Sequence, residues 1–436
     1  MGMPCLSCKP VARDRQGWLP HTSPVQPTFK ILRTDALQRV LRYCLALCCL
    51  YSSPAKGNLH SLRFPFYSIE VQVSYTDGLR DWRPPNSLNL LFAHPFGYLK
   101  QHQAHTLLDG ITKVRQEYAL NDWLSLQLIQ STARAVLPKH SPAEQETLTA
   151  FLLRESGWDV ILAGYGQTAQ TYIYSEDQIA EVPFLEENGR AYYHLTRQGA
   201  LEGDSGTVYI VEPALPLATR PFSMSLDKLP QLPQQCELRQ VSFFYAGTTH
   251  HLMLDIDRAV IDWVRDYPFV EHHHYLSAPP STALQASLLP GLRQLIQGKS
   301  PMEALDILVA FTRSAFAYKT DQEAYGREKP MIPEELFFYP FSDCEDRSAL
   351  LFALIRALLP LPAIAVSNAD HVSIAVDLPG LKGERIPYRG RDYVVCDPTG
   401  PNRVSLFQSN PPVFKNEPYE IILSFTPPCP ACALHR

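Results

Sequence analysis

A run of strong helix formers, Ser348 to Leu359, is stopped by Pro360 and followed at once by apolar, strand-like stretches. Proline lacks the N–H that would continue a helix, and its ring clashes with the preceding turn, so the helix must end there. Next come Ala363-Ile364-Ala365-Val366, Val372-Ser373-Ile374-Ala375-Val376 and Tyr393-Val394-Val395-Cys396. Such runs suit strands. One helix feeding several short strands makes this part of the chain an α+β unit.

Chemistry-bearing residues sit at the joints of that pattern. Cys344 lies in Tyr339-Pro340-Phe341-Ser342-Asp343-Cys344-Glu345-Asp346-Arg347, at the start of the helix. Free N–H groups and the helix dipole favour a thiolate there, and the Cys344 N–H faces where an oxyanion would form. His371, 27 residues on, opens the Val372 strand and is placed to act as base and then acid. Asp397, 26 further, ends the Tyr393 strand and is placed to fix the imidazole tautomer. An isolated cysteine before an apolar helix is usually a core residue. Three reactive groups in this order argue against that reading.

The order cysteine-helix, histidine-strand, aspartate-strand, with the ending Asp397-Pro398-Thr399, resembles the transglutaminase-like superfamily of papain-type folds. The stretch from Phe316-Ala317-Tyr318 through Pro333-Glu334-Glu335-Leu336 to Asp343-Cys344-Glu345-Asp346 looks like bacterial transglutaminase-like cysteine proteinases. The resemblance spans residues 300 to 405 and implies an amide-bond hydrolase or an acyl transferase, in a family where some members have lost catalysis. Asp343 replaces the usual glycine before the cysteine, and no aromatic residue follows His371. Tyr318, Glu335 and Tyr339 are the candidates to line the substrate approach.

Asp343, Glu345 and Asp346 crowd the cysteine with carboxylates, which suit a helix start and oppose a thiolate. Compensation is expected from His371 as imidazolium, from Arg347, or from calcium held by Asp343 and Glu345, since hard cations take carboxylate oxygens. Calcium dependence is known among the similar proteinases. The chemistry itself requires no cofactor, and ordinary helix capping is the simpler role for these acids.

The chain also echoes itself. Gly189-Arg190-Ala191-Tyr192-Tyr193 matches Gly390-Arg391-Asp392-Tyr393-Val394, Val182-Pro183-Phe184 matches Ile386-Pro387-Tyr388, and Val160-Ile161-Leu162-Ala163 matches Ala363-Ile364-Ala365-Val366. The triad positions then fall on Pro142, Gln170 and Thr196, none of which can do the chemistry. The expectation is a degenerate transglutaminase-like copy at the N-terminal side, over 58–205. A β-rich unit over 206–280, a catalytic unit over 281–425 and a tail over 426–436 follow.

At 436 residues, 45% hydrophobic and 19% charged, the chain can bury large cores. A net charge of −5 and the lack of a basic, aromatic-laced stripe argue against a nucleic-acid partner. No segment after residue 60 is long enough to span a bilayer, so the mature chain is expected to have no integral span. Residues 1–57 read as a leader: Arg39 and Arg42 flank the apolar Tyr43 to Tyr51, and Ser53 and Ala55 suit signal peptidase. If segment 39–55 is a signal, the protein is exported to the periplasm or beyond; otherwise it is cytoplasmic. Cys429-Pro430-Ala431-Cys432 with His435 offers a metal site or a tail disulfide, and His272-His273-His274 reads as a solvated edge. The expected activity is a cysteine peptidase or isopeptidase acting on a peptide or protein, with a catalytically weak scaffold and an acyl transferase as the alternatives. Oligomeric state stays open.

Overall fold

A computed structural model describes residues 30–32, 58–82, 95–101, 104–165, 168–195, 207–212, 220–400, 414 and 417–428. After the short β1 (Lys30–Leu32), the first half opens on a hairpin of β2 (Leu59–Phe66) and β3 (Ile69–Thr76), paired antiparallel from Leu59↔Thr76 to Phe66↔Ile69. In β3 the buried Ile69, Val71 and Val73 alternate with exposed Glu70 and Gln72, as a strand with one covered face requires. Helices α1 (Asp77–Arg80), α2 (Pro95–Gln101) and α3 (Thr106–Glu117) follow. α3 lies hard against β3, where a Cβ on Gly110 would stand 3.2 Å from Val73 Cγ1. α4 (Asp122–Val136) starts at Asn121, whose side chain accepts the Leu124 N–H at 3.0 Å. A reciprocal Ser141–Glu144 capping box with Pro142 in the first turn launches α5 (Pro142–Glu155). Strands β4 (Val160–Tyr165), β5 (Thr168–Tyr174), β6 (Phe184–Glu187), β7 (Arg190–Tyr193) and β8 (Thr207–Glu212) complete a sheet of order β1-β8-β4-β5-β7-β6.

The second half repeats this plan. β9 (Cys236–Tyr245) and β10 (Thr248–Asp257) form an antiparallel hairpin closed by left-handed Ala246 and Gly247. Then come α6 (Arg258–Val264), α7 (His272–Ser277), α8 (Thr282–Ile296) and α9 (Pro301–Ser314). α8 covers β10 as α3 covers β3, again with a glycine at the contact, a Gly291 Cβ standing 2.7 Å from Leu252 Cδ2. A segment without counterpart follows: β11 (Ala317–Tyr318), α10 (Asp321–Tyr325), α11 (Pro333–Leu336) and β12 (Phe341–Ser342). α12 (Cys344–Leu358) leads into β13 (Ala363–Ser367), β14 (Val372–Val376), β15 (Arg385–Tyr388), β16 (Arg391–Val395) and β17 (Glu420–Phe425), a sheet of order β15-β16-β14-β13-β17.

Strand for strand, β6-β7-β5-β4-β8 and β15-β16-β14-β13-β17 have the same order and the same antiparallel pairings. Both carry an irregularity at one place, between Leu162 and Ala163 and between Ala365 and Val366. Both close a two-residue hairpin on left-handed residues, Asn188-Gly189 and Arg389-Gly390, whose twist matches the flanking strands. Each sheet packs one face on its helices. The other face buries a small cluster, Ile161, Ala163, Tyr172, Leu185 and Tyr192 in the first and Ile364, Val366, Ala375, Ile386 and Tyr393 in the second. Burying each large aliphatic side chain contributes about 1.5–3 kcal/mol.

The molecule is thus mixed α and β, as expected. Its internal divisions differ from the expectation over 206–280, which is not one β-rich unit. β8 is the last strand of the first sheet, and the β9–β10 hairpin packs on α8 and α9 in the second core. Within the segment read as a leader, Lys30–Leu32 pairs in parallel with β8. The signal-like segment 39–55 and the Cys429/Cys432 tail lie outside the described residues. Among the described residues no helix is long and apolar enough to cross a membrane.

Candidate active site

Cys344 is the first residue of α12, with Asp343 as N-cap. The helix begins earlier than its apolar run because Asp346 turns back and accepts the Asp343 N–H at 3.1 Å. α12 packs on β14, whose first residue, Val372, accepts Ser348 Oγ through its carbonyl at 3.0 Å. His371 immediately precedes Val372. His371 Nε2 lies 3.3 Å from Asp397 Oδ1. The same oxygen accepts the Thr399 N–H at 3.0 Å and Thr399 Oγ1 at 2.7 Å, an Asx turn that sets the carboxylate in place. Burial acts to raise the Asp397 pKa, but His371 and the Thr399 donors outweigh it and hold the acid below its ordinary value. With Nε2 directed at Asp397, Nδ1 is the nitrogen left to take a proton. Of the three residues named from spacing, His371 and Asp397 are paired, and Cys344 opens the helix that packs on the strand following His371.

The thiol itself is held in its neutral form. Cys344 is 8% exposed, and its Sγ donates to Glu345 Oε2 at 3.0 Å. Burial first, then the charges of Glu345 and Asp343, push its pKa well above the ordinary thiol value. Both acids are themselves raised, Asp343 by burial and the charge of Glu345, and Glu345 by burial and the charge of Asp346. Arg347 does not neutralise them. Its guanidinium donates to Ser342 Oγ and to the carbonyls of Arg313 and Phe316, and lies 5.2 Å from the centre of the Tyr318 ring.

Of the residues expected to line the approach, Tyr318 is the most exposed. It is 48% exposed, its strand pairs with Ser342, and its pKa is pushed up to about 12 by burial and by Cys344, Asp343 and Glu345. Tyr339 is half-buried, edge-on to Tyr325, with Lys329 Nζ 4.1 Å from its ring centre. Glu335 has a different role: at 1% exposure it binds Lys329 Nζ at 2.7 Å and accepts the Ile332 N–H, so it builds α11 rather than facing a substrate.

The sequence reading missed two parts of the site. Arg313 is buried in α9 and donates from Nε and Nη2 to the Asp397 carbonyl at 2.9 and 2.6 Å, anchoring the strand end that carries the acid. The available signal was an arginine within a largely apolar run, Leu308-Val309-Ala310-Phe311-Thr312-Arg313. Asp321, from α10, joins Asp343 and Asp346 in a buried group whose ligand atoms lie within 4.8 Å of one another. The Oδ1 atoms of Asp321 and Asp343 are buried without a hydrogen-bond partner. Such oxygens fit a hard cation.

The register corrects one alignment in the first half. Ile173 pairs with Val160 and with Tyr193, as Val376 pairs with Ala363 and with Val394, and both latter residues lie four after the left-handed hairpin glycine. Counting along the strands from these pairs, Thr168, not Gln170, stands where His371 stands. Pro142 opens α5 as Cys344 opens α12, and Thr196 lies outside the described residues. The histidine run is also no solvated edge: His274 is buried, and His272 and His273 are partly so.

No family model, curated protein or solved structure matches the chain in the searches made.

Proposed function

We propose that the protein is a cysteine-dependent amide-bond hydrolase, a peptidase or isopeptidase of transglutaminase-like character, acting through an acyl-enzyme on Cys344. The observation that carries this reading is the His371–Asp397 pair, Nε2 to Oδ1 3.3 Å, at the head of the strand on which the helix opened by Cys344 packs. In the proposed reaction His371 Nδ1 takes the thiol proton and sulfur attacks the amide carbon. The tetrahedral oxyanion faces the N-terminus of α12. His371 then returns the proton to the leaving amine, and a water deprotonated by the same imidazole cleaves the thioester. An amine in place of water would give acyl transfer with the same residues.

Calcium fits the acids beside the thiol. Asp343 and Glu345, with Asp321 and Asp346, supply the carboxylate oxygens, and the orphaned Oδ1 atoms of Asp321 and Asp343 are the observation that favours an ion. When bound, the ion would offset the negative charge facing Cys344. Titration calorimetry is expected to detect calcium binding in the wild-type chain and at least a tenfold weakening in Asp321→Asn, with loss of amidase activity in a chelator. Unchanged affinity in that variant would remove the ion from the reading.

Iodoacetamide at neutral pH tests the nucleophile. With calcium present, Cys344 is expected to be alkylated faster than the exposed Cys236, and His371→Ala to abolish the difference. Equal rates would favour the second reading, a binding scaffold that keeps the site's shell without turnover, which the Cys344–Glu345 hydrogen bond supports. We also propose that the first half is a duplicate of the second that lost its chemistry, in line with Pro142 and Thr168 at the positions of Cys344 and His371.

A further inference from the structure

We propose that Glu271, His273 and His274, with Asp177 facing His274 from the first half, form a binding site for a divalent transition-metal ion of the zinc type, where the two halves meet. His274 is 5% exposed, and its Nε2 makes no hydrogen bond. That nitrogen stands 3.5 Å from Asp177 Oδ1 and 3.9 Å from Glu271 Oε2, and His273 Nδ1 is also 3.9 Å from Glu271 Oε2. Hydrogen bonds between such groups run about 2.7–3.2 Å. Ligands bound at about 2.0–2.1 Å on a tetrahedral ion lie about 3.3–3.4 Å from one another. The observed spacing is nearer to ligands sharing an ion.

The surroundings keep the donors in place. Asp177 Oδ2 accepts the Met224 N–H at 2.7 Å, which leaves Oδ1 facing His274. The His273 and His274 rings have centroids 3.9 Å apart. Imidazole nitrogens together with a carboxylate suit zinc, iron or nickel, whereas calcium and magnesium prefer an all-oxygen shell. Asp177 comes from the loop after β5 in the first half, and the three grouped ligands from the cap and start of α7. Beside them, the Ala180 N–H bonds the Phe269 carbonyl at 2.9 Å and Ile179 bridges Val270. α7 packs on α12, and Arg356 of α12 donates to the Ser277 carbonyl at 3.1 Å. A metal here would fasten the first half to the element supporting the helix that carries Cys344.

The test uses the full-length chain with Cys429→Ser and Cys432→Ser, so that the tail cannot hold metal through sulfur. Loaded with zinc and dialysed, it is expected to retain an equivalent amount of zinc by elemental analysis, with X-ray absorption showing nitrogen and oxygen neighbours at about 2.0–2.1 Å. Asp177→Asn and His273→Gln, the latter at a partly exposed ring, are each expected to weaken zinc binding about tenfold or more with an unchanged circular dichroism spectrum. Zinc absent after dialysis, sulfur neighbours at about 2.3 Å, or undiminished binding in both variants would overturn the proposal. If the variants fail to fold, the absorption spectrum of the parent chain decides the matter alone.

Discussion

Gly400 has no room for a side chain: a Cβ there would stand 2.5 Å from Arg313 Nη2. The same guanidinium holds the Asp397 main-chain carbonyl, so a residue 84 positions away anchors the strand end that carries the carboxylate. Asp397 in turn carries a pH signature. Its folded pKa lies below 3.8, so the stability it contributes is present above that pH and is lost as the pH falls through the lower folded value. Asp397→Asn is expected to remove this part of the acid sensitivity, seen as a flatter denaturation midpoint against pH below 3.8. It should also lower amide hydrolysis by about 10³-fold or more, because the imidazole loses the group that orients it. An unchanged acid limb together with full activity would separate Asp397 from His371.

At the scale of elements, what was legible in the sequence was local. The stop at Pro360 marked its element because the cause lies within a few residues. The Gly189 and Gly390 segments were legible only as an echo of one another, and the structure makes both glycines hairpin turns. Gly390 and Gly189 adopt φ of 76° and 73°, where a Cβ is strained. Replacing either by alanine is expected to cost about 1–2 kcal/mol in urea denaturation, by similar amounts in the two halves. A cost in one hairpin alone would show that the two turns are not equivalent. The His371–Asp397 pairing was legible because both residues sit at strand boundaries, where spacing betrays them. Arg313 could not be matched to Asp397 across 84 positions, nor Asp321 to Asp343, because folding alone makes those contacts. Glu335 was misread because a carboxylate near a motif looks the same whether it faces a substrate or a buried lysine.

At the scale of the whole molecule, the halves interlock rather than sit as beads. Val260, Trp263, Tyr267, Val270, Tyr275 and Ile332, all from the second half, belong to the core of the first. The linking stretch lies along the first half, with Trp158 bridged to Arg220, Ser175 to Phe222, and the Gln231 N–H bonded to the Tyr118 carbonyl. Denaturation is therefore expected to be one cooperative event, with tryptophan fluorescence and far-UV circular dichroism giving coincident curves. Two resolved transitions would mean that the shared core contributes little. The matched sheets have a further consequence: the chain contains its own control experiment. Features drawn twice, such as the glycine turns, the bulge and the glycine-to-strand contacts, are what the backbone demands. The thiol, the imidazole and the inserted acidic segment, drawn once, are free of that demand and are where natural selection on activity would leave its mark.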